Sequence, residues 1–183
     1  MRTLAVGPRI LALFVGSITE VGAEAVITAA NRHLAGGGGV DGAVHRAAGP
    51  RLLEACRGLP ADAEGIRCPT GQARITPGFD LAPWVVHAVG PVWNADRPAE
   101  SAALLDRALV MAFRLADEAG ARHVAAPAVS TGVYGYPLPD AARISVAAAI
   151  RSLRSARSVE RITFALLGTP ALRAFEDALA AGA

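Results

Sequence analysis

A three-layer α/β/α sandwich around a mixed, largely parallel central sheet is the fold class this sequence predicts, on three observations. Apolar runs with strand character recur along the chain, and segments of helical periodicity lie between them. The runs are apolar throughout rather than alternating, which suits a sheet covered on both faces. The chain has 183 residues, 52% of them hydrophobic and 19% charged, the size and composition of a folded globular unit. No linker, repeat or low-complexity tract divides it, so residues 1–183 are expected to form a single domain.

Taken in order, a weak strand-like run at 2–6 precedes a firmer one at 10–15 (ILALFV), and a third lies at 25–30 (AVITAA). Between 40 and 59, Val40, Val44, Ala47, Ala48, Leu52 and Cys56 fall at helical spacing, and Gly49-Pro50 should kink or restart that helix. The stretch "ARITPG" at 73–78 should pair with, or turn into, the run at 84–90 (WVVHAVG). The best helix spans 98–120, with acids early, Arg107 and Arg114 later, and Gly120 as a stop. A strand-like run at 123–129 (HVAAPAV), a helix from "LPDAARISVAAAIRSLRS", a strand at 162–167 (ITFALL) and a helix from "TPALRAFEDALA" complete the chain. Both of these helices carry Pro near the first turn.

Composition excludes several chemistries. The net charge of +2 is too small to imply a nucleic-acid partner. All 18 basic residues are Arg, which leaves no Schiff-base, P-loop or general-base lysine, so an anion must be held by arginine, backbone amides or a helix N-terminus. Cys56 and Cys68 have neither CxxC nor metal-ligand spacing and read as free thiols of a reducing cytosol. Arg2 and Arg9 precede the apolar run "ILALFVG" and an "AEA" follows at 23–25, but Gly7-Pro8 interrupt the pattern and the run is only seven long, so a signal peptide is not the expectation. No run reaches the ~18 residues of a membrane span. A cytoplasmic location is expected.

Two stretches carry the candidate chemistry. In "ITAANRHLAGGGGVDGAVH", from Ile27 to His45, a strand runs into four consecutive glycines just before a helix. The literal match to G-x-G-x-x-G fails in context, because the glycines begin six residues past the strand and no acidic strand end follows about 20 residues later. What survives is a row of backbone N–H groups at a helix N-terminus, suited to an anion. Asp41 and His45, i and i+4, share a face of that helix's first turns. In "PAVSTGVYGYP", from Pro127 to Pro137, a second strand opens into small residues with Tyr134 as a flat amphipathic surface for a ribose or base. Ligands of such sheets sit at the carboxyl ends of the strands. Two glycine loops at that edge predict a diphosphate clamp.

These loops resemble the macrodomain family, which binds ADP-ribose. "AAN" followed by "LAGGGGVDGAVHRAAGP" is similar to the family's first phosphate loop, and "TGQARITPG", "VVHAVGP" and "STGVYGYP" resemble its other signatures in the same order, from about Leu13 to Phe175. The nearest branch is the MacroD type, whose members remove ADP-ribose from acidic side chains and deacetylate O-acetyl-ADP-ribose. A lysine-dependent branch does not fit this chain, and a zinc-dependent one is not suggested by the Cys and His spacing. The resemblance implies that Asn31 hydrogen-bonds the distal ribose and helps place a water. It implies that Asp41 orients that ribose or water and that His45 supports the loop. Gly37, Gly38, Gly39 and Val40 would contact the diphosphate on one side, and Ser130, Thr131, Gly132, Val133 and Tyr134 on the other. Ser17 and Ile18 would lie at the adenine end. ADP-ribose, ADP-ribosylated proteins and O-acetyl-ADP-ribose are the implied partners, with no membrane, metal or cofactor.

Three stretches depart from the family pattern. Ser17 in "GSIT" replaces an aspartate that accepts from the adenine amine, and a neutral acceptor is worth about 0.5–1.5 kcal/mol against roughly 1.5–3 for a charged one, so adenine recognition should relax. Leu167 and Gly168 stand where relatives often place a stacking aromatic, and Thr28 replaces the first Asn of Asn-Ala-Ala-Asn, weakening the expected ribose-side network. No opposed carboxylate pair supports a two-carboxylate glycosidase scheme, and Ser130 is not in a G-x-S-x-G elbow. A positioned-water hydrolase is therefore expected; the alternatives are a reader that binds without cleaving and a nucleotide or RNA-end phosphatase-like activity.

Overall fold

The computed structural model describes residues 2–182 and forms one seven-stranded sheet flanked by five α-helices. The strands are β1 (Arg2–Val6), β2 (Arg9–Val15), β3 (Ala25–Ala29), β4 (Gln72–Pro77), β5 (Trp84–Val89), β6 (His123–Ala126) and β7 (Arg161–Leu166). The helices are α1 (Gly39–Ala48), α2 (Pro50–Gly58), α3 (Pro98–Glu118), α4 (Leu138–Ser155) and α5 (Thr169–Gly182), with a single 3-10 turn at Ile18–Glu20. Strand order is β1-β2-β7-β6-β3-β5-β4. The inner five strands are mutually parallel, and β1 and β4 pair antiparallel at the two edges. The sheet is thus mixed and mostly parallel, as expected.

The apolar runs follow from burial on both faces. Along β3, Ile27 joins the larger core cluster and Val26 the smaller; along β5, Val86 and Ala88 face the first and Val85 the second. β6 divides likewise between Val124 and Ala126 on one side and Ala125 on the other. Helices α3, α4 and α5 cover the first face, while α1, α2 and the 3-10 turn lie on the other.

The structure sharpens several boundaries. The weak run at 2–6 is β1, paired with β2 through the turn at Gly7, whose φ of 62° suits glycine. "ARITPG" is the edge strand β4, in register with β5. The expected strand at 123–129 stops at Ala126, because Pro127 has no N–H for the ladder. The helix expected over 40–59 restarts at Gly49, where φ 79° and ψ 177° break the helical path before Pro50 opens α2. Among the described residues no helix is long and apolar enough to cross a membrane.

Candidate functional site

At the carboxyl edge of the inner strands, the loops after β3 and β6 face each other across a cavity of about 310 Å³. Its walls include Asn31, Gly37, Gly38, Gly39, Val40 and Asp41 from the first loop, and Ser130, Gly132, Val133 and Tyr134 from the second. Larger hollows exist between the ends of α3 and α4 and between α4 and α5, but neither gathers these loops.

Asn31 knots the first loop. Its Nδ2 donates to the Gly36 carbonyl at 2.8 Å, and its Oδ1 accepts from the His33 N–H at 3.0 Å and the Ala35 N–H at 3.4 Å. Leu34, with φ 52° and almost no exposure, pins the middle of the loop into a small cluster with Cys56 and Cys68. The glycines then have a steric role. A Cβ on Gly42 would stand 2.5 Å from the Gly37 carbonyl oxygen, so the start of α1 and the glycine loop approach as only glycine allows. Gly38 caps α1 without any side-chain hydrogen bond, which leaves the first-turn N–H groups free of intrahelical partners, and Gly38, Gly39, Val40 and Asp41 line the cavity.

Asp41 lies in that first turn, 5% exposed. Thr28, fully buried on β3, donates its hydroxyl to Asp41 Oδ1 at 2.9 Å; it thus supplies a side-chain contact where the sequence suggested only a missing amide. Oδ2 points along Gly37, 3.7 Å from where a Cβ would sit on that residue. Burial raises the Asp41 pKa above the ordinary carboxylate range, opposed by the Thr28 donor and the His45 ring.

His45 does not line the cavity. Its Nε2 is 3.9 Å from Asp41 Oδ1, and its ring backs the loop, 3.8 Å from the Cβ position of Gly36. Behind it, His87 is fully buried, with Nε2 2.9 Å from Thr76 Oγ1 and 3.6 Å from Cys56 Sγ. Burial holds the His87 pKa down to about 3, so it is neutral, and pushes the Cys56 thiol up to about 11, with the Asp41 charge adding to the rise. His45, Cys56 and His87 place their ligand atoms within 4.8 Å of one another. The fold thus creates a Cys/His cluster that linear spacing conceals, although His87 is already engaged with Thr76.

In the second loop Ser130 adopts φ 67°, strained for a residue with a side chain. Its carbonyl accepts from the Tyr136 N–H at 3.0 Å, while its Oγ is buried with no hydrogen-bond partner. A Cβ on Gly90, which also lines the cavity, would collide with that Oγ. Sequence reasoning missed Gly90, whose signal lay in "HAVGP". Thr131 turns its hydroxyl back to the Ala128 carbonyl at 2.8 Å and is absent from the cavity wall. The Tyr134 carbonyl accepts from the Trp93 N–H at 2.8 Å, which ties the loop to the segment after β5, and Val133 is fully exposed at the rim.

Ser17 and Ile18 sit apart from this cavity. Ser17 Oγ caps the 3-10 turn, accepting from the Thr19 N–H at 3.3 Å and lying 2.7 Å from Thr19 Oγ1, while the Ser17 N–H donates to Glu20 Oε2 at 3.3 Å. Ile18 is buried in the smaller core cluster. Leu167 is 73% exposed beyond β7.

The chain matches the family model described as Macro domain over residues 27–145. It is 46% identical over 166 residues to a macro domain-containing protein of Xanthomonas axonopodis pv. citri, covering 90% of this chain and 92% of that one. Identity to a macro domain-containing protein of Streptomyces coelicolor is 47%, covering 90% and 95%. Among solved structures it superposes on the Oceanobacillus iheyensis macrodomain with ADP at a TM-score of 0.91 and 35% identity, over 98% of this chain and 95% of that one. A Trypanosoma brucei macrodomain in complex with ADP-ribose superposes at 0.79 with 36% identity, over 91% and 68%. With two facing glycine loops, an uncapped helix N-terminus between them and matches of this extent, the chain belongs to the macro domain family.

Proposed function

We propose that this protein binds ADP-ribose in the cavity between its two glycine loops and hydrolyses it from acidic side chains of proteins, or deacetylates O-acetyl-ADP-ribose, as the MacroD-type branch does. The observation that carries this reading is the buried Asp41 beside an uncapped helix N-terminus, in one cavity whose walls also include Ser130, Gly132 and Tyr134 of the second loop. The free amides of the first turn of α1 suit one face of a diphosphate, and the Ser130–Tyr134 loop suits the other. Arginine is not needed at the cavity wall, and none lines it.

Chemistry then rests on positioning. A water held between a phosphate oxygen of the substrate and the distal ribose, and fixed by Asn31 and Asp41, attacks the ester. The new bond is water oxygen to carbon and the broken bond is that carbon to the leaving oxygen. The water's proton passes to the phosphate, where it stays when a carboxylate leaves and from which it moves on to the departing ribose oxygen when an acetyl ester is cleaved. Holding the reacting atoms near contact distance supplies several kcal/mol. His45 acts from behind the loop rather than on substrate. The reader alternative draws on one observation: three contacts already engage the Asn31 carboxamide, leaving a single N–H for a ligand.

The test is release of ADP-ribose from a glutamate-linked peptide and of acetate from O-acetyl-ADP-ribose. Asp41→Ala is expected to lower turnover by roughly 100-fold or more with ADP-ribose affinity within about threefold of the parent, the pattern of a group acting in the transition state. Tight binding by the parent with no turnover on either substrate would leave a reader.

A further inference from the structure

We propose that Thr28 is a positioning residue for the reaction, its hydroxyl holding Asp41 by one carboxylate oxygen so that the other stays turned toward the glycine loop. This rests on the reading of Asp41 as the group that orients the water. Thr28 is fully buried on β3, in register with His87 of β5, so its hydroxyl has one fixed place from which to donate. It reaches Asp41 Oδ1 at 2.9 Å, and a carboxylate can take the bond only as acceptor. Oδ2 is thereby the oxygen left beside Gly37.

The other titratable groups around Asp41 cannot replace this bond. His45, on α1, stands 3.9 Å from the same Oδ1, beyond hydrogen-bonding distance. Cys56, on α2, is a buried thiol, and His87, on β5, is committed to Thr76 and Cys56. Without the Thr28 donor, burial of Asp41 would be opposed only by a ring out of reach. The hydroxyl therefore does two things: it fixes the rotation of the carboxylate and favours its charged form.

The experiment compares the parent with Thr28→Val, which keeps the shape and removes the donor, and Thr28→Ser, which keeps the donor. Three quantities are read: the Asp41 titration by carboxyl-carbon NMR, the pH profile of kcat and KM for ADP-ribose release from a glutamate-linked peptide, and ADP-ribose affinity by calorimetry. In T28V the Asp41 midpoint should rise by about one pH unit. Its kcat at neutral pH should fall about tenfold, with KM and affinity within about twofold. T28S should return the midpoint and kcat to near the parent. An unmoved Asp41 titration in T28V, or a T28S that behaves as T28V does, overturns the proposal. Should T28V not fold, Thr28→Ala carries the same comparison. If the titration shifts as stated while no variant and no parent releases ADP-ribose, Thr28 still orients Asp41 and the hydrolase reading alone fails.

Discussion

The two edges of the sheet handle their loose backbone groups in opposite ways. At the amino edge, carboxylates close them. Asp117 accepts from the N–H groups of Arg157, Ser158 and Val159 at 2.7–3.1 Å, and Glu24 accepts from those of Arg122 and His123. Arg9 satisfies the carbonyls of Ala156 and Val159 there. At the carboxyl edge, α1 begins without a side-chain cap, Ser130 Oγ lacks a partner, and a residue with a side chain is held at positive φ. The first edge is closed by side chains of the chain itself, whereas at the second the start of α1 and the Ser130 hydroxyl are left without side-chain partners. That division is what an open α/β sheet with a single binding edge requires.

Three substitutions would break or sharpen this contrast. The largest effect is expected at Gly42, where a methyl would meet the Gly37 carbonyl. Gly42→Ala should cost about 2 kcal/mol of stability by overpacking and at least about tenfold in ADP-ribose affinity, by calorimetry. Gly58→Ala, with open space around it, should do neither. If G42A binds normally, the close approach of loop and helix is not what shapes the cavity.

Next comes the amino edge. Asp117→Ala should lower stability by roughly 1–2 kcal/mol in denaturant unfolding, discounted for partial exposure, and leave ligand affinity unchanged. Its sign with pH is defined. Burial works to raise the Asp117 pKa, but the three backbone donors outweigh it and the net shift is downward. The stabilisation is therefore complete above the ordinary aspartate range and is lost as pH falls through the lowered value. The parent should lose stability on acidification that D117A never had; parallel curves would sink this account.

The smallest effect is at Ser130. Ser130→Ala removes a buried hydroxyl without a partner, so the free protein should gain up to about 1 kcal/mol in thermal or denaturant unfolding, while ADP-ribose affinity falls about three- to tenfold. A loss of stability instead would mean that the chain already satisfies that hydroxyl.

Most of the architecture was legible because both faces of the inner strands are buried, and burial writes itself as apolar runs such as 84–89, broken there only by the buried His87. The first loop was legible too, since consecutive glycines cost backbone entropy and persist at a helix start where main chain must lie bare. What escaped depends on contacts distant in sequence. Gly90 reaches Ser130 across forty residues of chain, and Thr28 finds Asp41 only once β3 and α1 are packed. The cluster of His45, Cys56 and His87 has no linear spacing to betray it. Ser17 is hard to read for the opposite reason, because its hydroxyl also has local partners in the 3-10 cap, and its sequence context does not reveal that commitment.

The Asn31 knot has a thermodynamic corollary. Because the segment from Asn31 to Gly36 is already cross-linked to itself and anchored by Leu34, the proposed nucleotide-sugar would meet a scaffold whose disorder was removed during folding. Such association would sacrifice little chain entropy at this wall of the cavity, and more of the gross contact energy would survive as affinity.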